Sequence, residues 1–283
     1  MLLEYFTKGT AGTVTGGQVG CEIETDFVDA TTGAPISKRV SQAILSAHAG
    51  LPLGCDQKLE LGRQKIELAL SPCDSFDHLL ELTHSSLAWL YRTAAQYGAL
   101  PSLSPELLWS GSLLDVSSDP RDQLWVGLDG QAALEELCRC SSVQFTIDVH
   151  PGDAIELVNA LWAAGLQQLD YEPNNRRWEA YTALSLVGYR PDRYAGPEGF
   201  DSLSDYATRL AQHDVVMHEG QPVRLSPLSV PGLDTDLFLR SIWWHYRLRR
   251  YADTLAVEIR PLARRSDDCI ARYWNVIAPL IGL

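Results

Sequence analysis

The run Gln18-Val-Gly-Cys-Glu-Ile-Glu-Thr-Asp-Phe-Val28 constrains this chain more than any other segment, because its residue types alternate. Successive side chains of an extended strand point to opposite faces, so Glu22, Glu24 and Asp26 share one side. Cys21, Ile23 and Phe27 share the other. One face of this strand is made for a core and the other gathers carboxylates.

Similar patterns recur. Lys58-Leu-Glu-Leu61, Gly62-Arg-Gln64 and Lys65-Ile-Glu-Leu-Ala-Leu70 read as strand, turn, strand, and Ser142–Val149 alternates again. Leu255-Ala-Val-Glu-Ile-Arg-Pro261 reads as a last strand. Helices are expected from Ser41 to His48, from a Ser75 cap to about Tyr97 before Gly98, from Pro151-Gly152 through Leu161, and from Ser266 onward. The tryptophan-rich run Leu237–Arg247 fits helix or strand. The stretch from Gln167 to Pro231, rich in Pro, Gly, Arg and aromatics, is expected to hold helices between ordered loops. Strands and helices mix without strict alternation, which predicts an α+β fold with a largely antiparallel sheet. With no internal repeat and no linker-like stretch, a single domain over residues 1–283 is expected.

Charge narrows the partners. Against 23 Lys+Arg stand 36 Asp+Glu, a formal net charge of −13, which repels phosphate backbones and argues against general nucleic-acid binding. Met1-Leu-Leu-Glu-Tyr-Phe-Thr-Lys8 carries charge where a signal core would be apolar, and no run is long enough to span a bilayer. Cysteines 21, 55, 73, 138, 140 and 269 follow no secreted framework, and Cys138-Arg-Cys140 lacks a second pair for zinc. A cytoplasmic protein with reduced thiols and no membrane partner is expected.

The acids carry the chemistry. Glu22 and Glu24 lie two apart; Glu60 and Glu67 flank a turn; Glu258 and Arg260 again lie two apart. Taken one at a time, such pairs read as the wet face of a strand. Wet faces usually mix acids with Lys, Thr, Ser and Gln, however, and the first strand has no balancing basic residue. A clustered set would be self-repelling and poorly solvated, which a hard divalent cation such as Mg²⁺ relieves. An arginine beside it suits phosphate oxygens. Other chemistries find no support: Gly9–Gly17 lacks the Gly-Lys-[Ser/Thr] of a P-loop, there is no Gly-x-Ser-x-Gly elbow, and no His-Glu-x-x-His occurs. Cys21 falls on the face opposite the acids.

Five motifs in order resemble the carboxylate–amine ligase branch of the glutamate–cysteine ligases, which share their active-site sheet with glutamine synthetase. They are Gly20-Cys-Glu-Ile-Glu24, Lys65-Ile-Glu-Leu-Ala-Leu-Ser-Pro72, Arg193–Ser202 with Tyr206, Ser241-Ile-Trp-Trp-His-Tyr-Arg247, and Leu255–Leu262. The resemblance runs from about residue 18 to the C-terminus. It implies a sheet of about six strands forming the active-site face, with helices on its other side. It also implies ATP and Mg²⁺ (or Mn²⁺) as cofactors, a small carboxylate such as glutamate and an amine as substrates, and a homodimer.

Carried over residue by residue, the resemblance implies that Glu24, Glu60 and Glu67 hold one ion and that Glu22 and Glu258 hold a second. Arg260 would meet the γ-phosphate or an acyl phosphate, and Arg247 and one of Arg176 and Arg177 the phosphates or the substrate carboxylate. The family's His-x-His is here Gln144 and Thr146, so Gln144 becomes a weaker metal donor and Thr146 the residue near the nucleotide, with Asp148 on the same face. Replacing Glu24 or Glu258 by Gln is expected to abolish turnover and leave the fold intact. Two alternatives stand beside the ligase: phosphoryl transfer to guanidino compounds, whose signature is absent, and a silent relative that binds nucleotide or a small acid.

Overall fold

The computed structural model describes residues 2–8, 17–115, 120–166 and 172–281. The glycine-rich stretch Gly9–Gly16 and residues 167–171 lie outside them. Eleven described strands are β1 (Val19–Asp29), β2 (Cys55–Leu59), β3 (Lys65–Cys73), β4 (Ala99–Ser102), β5 (Ser142–Asp148), β6 (Tyr194–Ala195), β7 (Val215–His218), β8 (Gln221–Leu225), β9 (Trp243–Trp244), β10 (Tyr246–Tyr251) and β11 (Thr254–Ala263). Helices are α1 (Leu2–Thr7), α2 (Lys38–Ser46), α3 (Phe76–Gln96), α4 (Pro120–Asp129), α5 (Gln131–Cys138), α6 (Ala154–Ala163), α7 (Glu172–Leu184), α8 (Leu203–Leu210), α9 (Thr235–Arg240) and α10 (Cys269–Ile281).

The fold is α+β around an antiparallel sheet in the order β10-β11-β5-β1-β3-β2, with β4 paired to the end of β1. Seven strands join it, slightly more than the expected six. The alternation in β1 sets the two sides. Ile23 pairs with Leu68 and Val143, and Cys21 with Leu70 and Phe145, while Val257 and Ile259 of β11 pair with Ile147 and Phe145. These residues are buried in one apolar cluster roofed by α1, α3, α6 and α10, where Trp274 stacks on Phe76 and leans on Phe145. Ser75 caps α3 as its position predicts, its hydroxyl accepting the His78 N–H.

A second cluster lies apart from the main core. Leu113, Leu134, Tyr181, Tyr194 and Trp243 belong to it, drawn from the segment between β4 and α4 and from α5, α7, β6 and β9. Here the segments Arg193–Ser202 and Ser241–Arg247 meet. Parallel strands β6 and β9 pair, Arg193 Nε donates to the Ser241 carbonyl (2.6 Å), and Trp244 Nε1 donates to the Asp192 carbonyl (2.9 Å). Gly196 sits at φ +84° against Trp244, where a Cβ would come within 2.6 Å of the indole Cγ, so only glycine fits.

The undecided run Leu237–Arg247 resolves into both alternatives: the end of α9, then β9, then the start of β10. Because β10 is an outer strand, the N–H groups facing away from β11 need partners. Tyrosine hydroxyls supply them, Tyr206 accepting from Leu248 N–H (2.8 Å) and Tyr5 from Arg250 N–H (2.9 Å). Tyr206→Phe would orphan a buried N–H, and a loss of about 1–3 kcal/mol in unfolding free energy is expected by urea titration; an unchanged value would show that the hydroxyl is dispensable.

Candidate active site

The face of the sheet opposite the main core carries the charges, and strand register lines them up. On one rung Lys58, Glu67 and Glu24 stand side by side across β2, β3 and β1. On the next, Glu22 faces Gln144. Farther along, Thr146, Glu258 and Arg247 cross β5, β11 and β10. The resulting face carries carboxylates on β1 and β3 and, just past β2, at Glu60, and is rich in arginine on β10 and β11.

At the acidic end, Lys58 Nζ lies 2.8 Å from Glu67 Oε1 and 3.6 Å from Glu60 Oε1. Glu24 Oε2 accepts the Ser142 N–H (2.9 Å) and stands 3.8 Å from Lys65 Nζ. Lys65 is buried and also donates to the carbonyls of Cys140 and Leu137. Asp26 completes this edge, accepting from Gln64 Nε2 (2.9 Å) and the Ser141 hydroxyl (2.8 Å). The cations do not fully offset the acids. Burial, reinforced by Glu60, Glu22 and Glu24 against the pull of Lys58, pushes the Glu67 carboxyl up to about 10. Burial also raises Glu24, with Lys65 opposing and Glu60 adding to the shift.

The basic end is closed more tightly. Arg247 donates through Nε to Glu258 Oε2 (2.6 Å), and its Nη2 lies 2.5 Å from the same oxygen. Its Nη1 reaches the carbonyls of Leu239 (2.7 Å) and Ile242 (2.9 Å). Tyr251 donates to Glu258 Oε1 (2.6 Å), and Arg249 Nη1 is 3.3 Å from that oxygen. Burial works to raise the Glu258 carboxyl, but Arg247, Arg260, the Tyr251 hydroxyl and Arg249 overcome it and hold the group at about 2.

Between Ile259–Phe145 and Leu262–Val143, the two residues Arg260 and Pro261 oppose the single residue Gln144. That bulge re-aims a side chain, and Pro261, without an N–H, suits the break in the ladder. Arg260 Nη1 donates to Gln144 Oε1 (2.7 Å). Asp148, at the end of β5, is pushed up to about 6 by burial.

The site residues expected from sequence thus divide. Glu22, Glu24, Glu67, Gln144, Thr146, Glu258, Arg260 and Arg247 share one face of the sheet, with Glu60 beside Lys58. Arg177 is committed elsewhere: its Nε donates to Glu106 (2.7 Å) and its Nη1 to Glu136 (2.5 Å), while Arg176 also holds Glu106 (2.8 Å). These carboxylates use the donors that a phosphate would need. Arg247 is likewise committed to Glu258 and two carbonyls. Lys58, Lys65, Arg249 and Tyr251 were not anticipated, although each lies two residues from an anticipated site residue or from another member of this group.

A metal fits one part of the face better than the other. Among the described residues, no three His, Cys, Asp or Glu side chains already stand as a ligand set. Glu24, Glu60 and Glu67 nevertheless offer hard oxygens with acid in excess, and the Lys58 side chain, 48% exposed on an outer strand, can swing out. Glu258 offers no such freedom, since it and Arg247 are only 6% and 5% exposed.

No protein family and no curated protein matches the sequence. Among solved structures, a bifunctional glutathione synthetase from Pasteurella multocida superposes with a TM-score of 0.53 at 12% identity, over 94% of this chain and 39% of that one. A glutamate–cysteine ligase from Francisella tularensis in complex with AMP gives a TM-score of 0.47 at 11% identity, over 94% of this chain and 66% of that one. The first likeness is one of fold. The chain spans less than two thirds of the length of either protein.

The buried pair at the basic end changes what its removal should do. Glu258→Gln leaves Arg247 buried without its counter-charge, and a loss of about 3–5 kcal/mol at neutral pH is expected. The carboxyl is depressed when folded, so its contribution is fully present above its ordinary value of 4.5 and is lost as the pH falls through about 2. Urea titrations should therefore show the gap between parent and variant narrowing below pH 4.5; a gap that stays constant to pH 3 would contradict the assignment.

Proposed function

We propose that this chain is an ATP-dependent carboxylate–amine ligase that joins glutamate or a similar acid to an amino acid or amine, such as cysteine, through an acyl phosphate. The observation that carries this reading is the juxtaposition, on one face of one sheet, of the carboxylates Glu22, Glu24, Glu60 and Glu67 with Arg260. Its agreement with the motif order, and a fold shared with a glutathione synthetase, add support.

Glu24, Glu60 and Glu67 would hold Mg²⁺ or Mn²⁺, which when bound neutralises phosphate oxygens and draws them toward the sheet. Arg260 binds the transferring phosphoryl group, where charge spreads onto its oxygens. Thr146, on the neighbouring rung, lies beside the nucleotide. Arg247 and Glu258 act as positioning residues: they lock β10 to β11 and so fix where the bulge presents Arg260. In the reaction a substrate carboxylate oxygen attacks the γ-phosphorus and ADP leaves. The amine nitrogen then attacks the acyl carbon, losing a proton, and phosphate departs. No protein nucleophile is needed, which accords with Cys21 being buried on the opposite face.

One observation favours a second reading. Gln144 and Thr146 are neutral, and Gln144 is already engaged by Arg260, which suits a protein that binds nucleotide or a small acid without turnover. ADP release with Mg²⁺-ATP, glutamate and a panel of amines separates the two. Release that requires both acid and amine is expected, and nucleotide binding with no release would favour the silent protein. Glu24→Gln keeps an oxygen to accept the Ser142 N–H, so circular dichroism should be unchanged while turnover falls about 100-fold or more. Retained turnover would remove the carboxylate face from the site.

A further inference from the structure

The basic half of the face brings its own cation to the position where a second metal ion is expected. Of the donors for that ion, both Glu258 oxygens are taken: Oε2 by Nε and Nη2 of Arg247 (2.6 and 2.5 Å), Oε1 by the Tyr251 hydroxyl (2.6 Å) with Arg249 Nη1 at 3.3 Å. Arg260 Nη1 lies 3.5 Å from Glu258 Oε2 and donates to Gln144 Oε1 at 2.7 Å, using the carbonyl oxygen of that amide. Gln144 Nε2 faces the Ser142 hydroxyl at 3.2 Å, so the amide is held from both ends.

A small hard divalent ion requires about six oxygens in near-octahedral order. Water and phosphate oxygens can complete that shell, but of the side chains here only Glu22 is left to anchor the ion, beside a guanidinium of like charge. The Arg247–Glu258 pair is buried, so freeing a Glu258 oxygen for a metal would break that pair and leave Arg247 without its counter-charge. A guanidinium, permanently charged and planar, binds phosphoryl oxygens directly and in pairs.

We propose that Arg260 takes the place of a second divalent cation: the position formed by Glu22, Gln144 and Glu258 holds no metal, and a phosphoryl group binds there to the guanidinium directly. The assignment rests on the ligase reading for the identity of that phosphoryl group, a nucleoside triphosphate. One divalent ion per chain follows, held at Glu24, Glu60 and Glu67.

The test counts ions. The protein, saturated with a non-hydrolysable ATP analogue, is titrated with Mn²⁺, and free Mn²⁺ is read by electron paramagnetic resonance. One bound ion per chain is expected, lost in Glu67→Gln and kept in Glu22→Gln. Two ions, or a single ion lost in Glu22→Gln, would overturn the assignment while leaving the ligase reading standing; no binding of analogue or Mn²⁺ would remove both. With EDTA present, tripolyphosphate should still bind the parent, and Arg260→Gln should weaken it tenfold or more. Binding that disappears whenever metal is withdrawn would equally overturn direct contact with Arg260.

Discussion

Charge on a sheet face survives burial only when each group meets its opposite, and the Arg247–Glu258 pair is where this requirement is met most completely. Two contacts from one guanidinium reach one carboxylate oxygen, Tyr251 reaches the other, and two carbonyls occupy the remaining Arg247 nitrogen. Such a pair adds little stability over an apolar pair of the same shape, yet breaking it is costly. It therefore acts as a registration device. By fixing β10 against β11 it also fixes the bulge opposite Gln144, and with it the direction of Arg260.

From that locked end the face changes character toward β2. Lysines replace arginines, Lys58 is exposed, and carboxylates outnumber their partners, so that Glu67 is held far above its ordinary range by burial and its acidic neighbours. The same sheet thus runs from a tightly paired, arginine-rich end to an acid-rich end, the polarity on which the proposed anion and cation sites rest. A triphosphate with its metal has the matching polarity. Behind it, the apolar face and its helices hold the strands without contributing to the chemistry.

Much of this was legible in the sequence. The alternation of Gln18–Val28 gave both faces of β1, and Lys65–Leu70 fell within β3, because local periodicity survives folding. β2 instead runs Cys55–Leu59, so the strand expected at Lys58–Leu61 starts earlier and ends before Glu60. The span Leu237–Arg247 was not legible, since Trp243, Trp244 and Tyr246 are buried and no polar alternation marks the change from helix to strand. Charge pairing was the larger gap. The first strand looked unbalanced because its partners, Lys58 and Lys65, come from neighbouring strands, and only register shows which residues share a rung. Arg177 failed for a related reason: Glu106 lies 71 residues away in sequence, and nothing local announces their contact.

The central claim is that the carboxylate face activates an acid by transferring phosphate to it. Supplying glutamate labelled with ¹⁸O in its carboxylates, together with Mg²⁺-ATP and the amine that supports ADP release, tests this directly. The account predicts one ¹⁸O atom carried into each inorganic phosphate released, seen as an isotope shift in the ³¹P resonance. Phosphate formed at the same rate without label would contradict it, since the oxygen would then have come from water and no acyl phosphate would have formed.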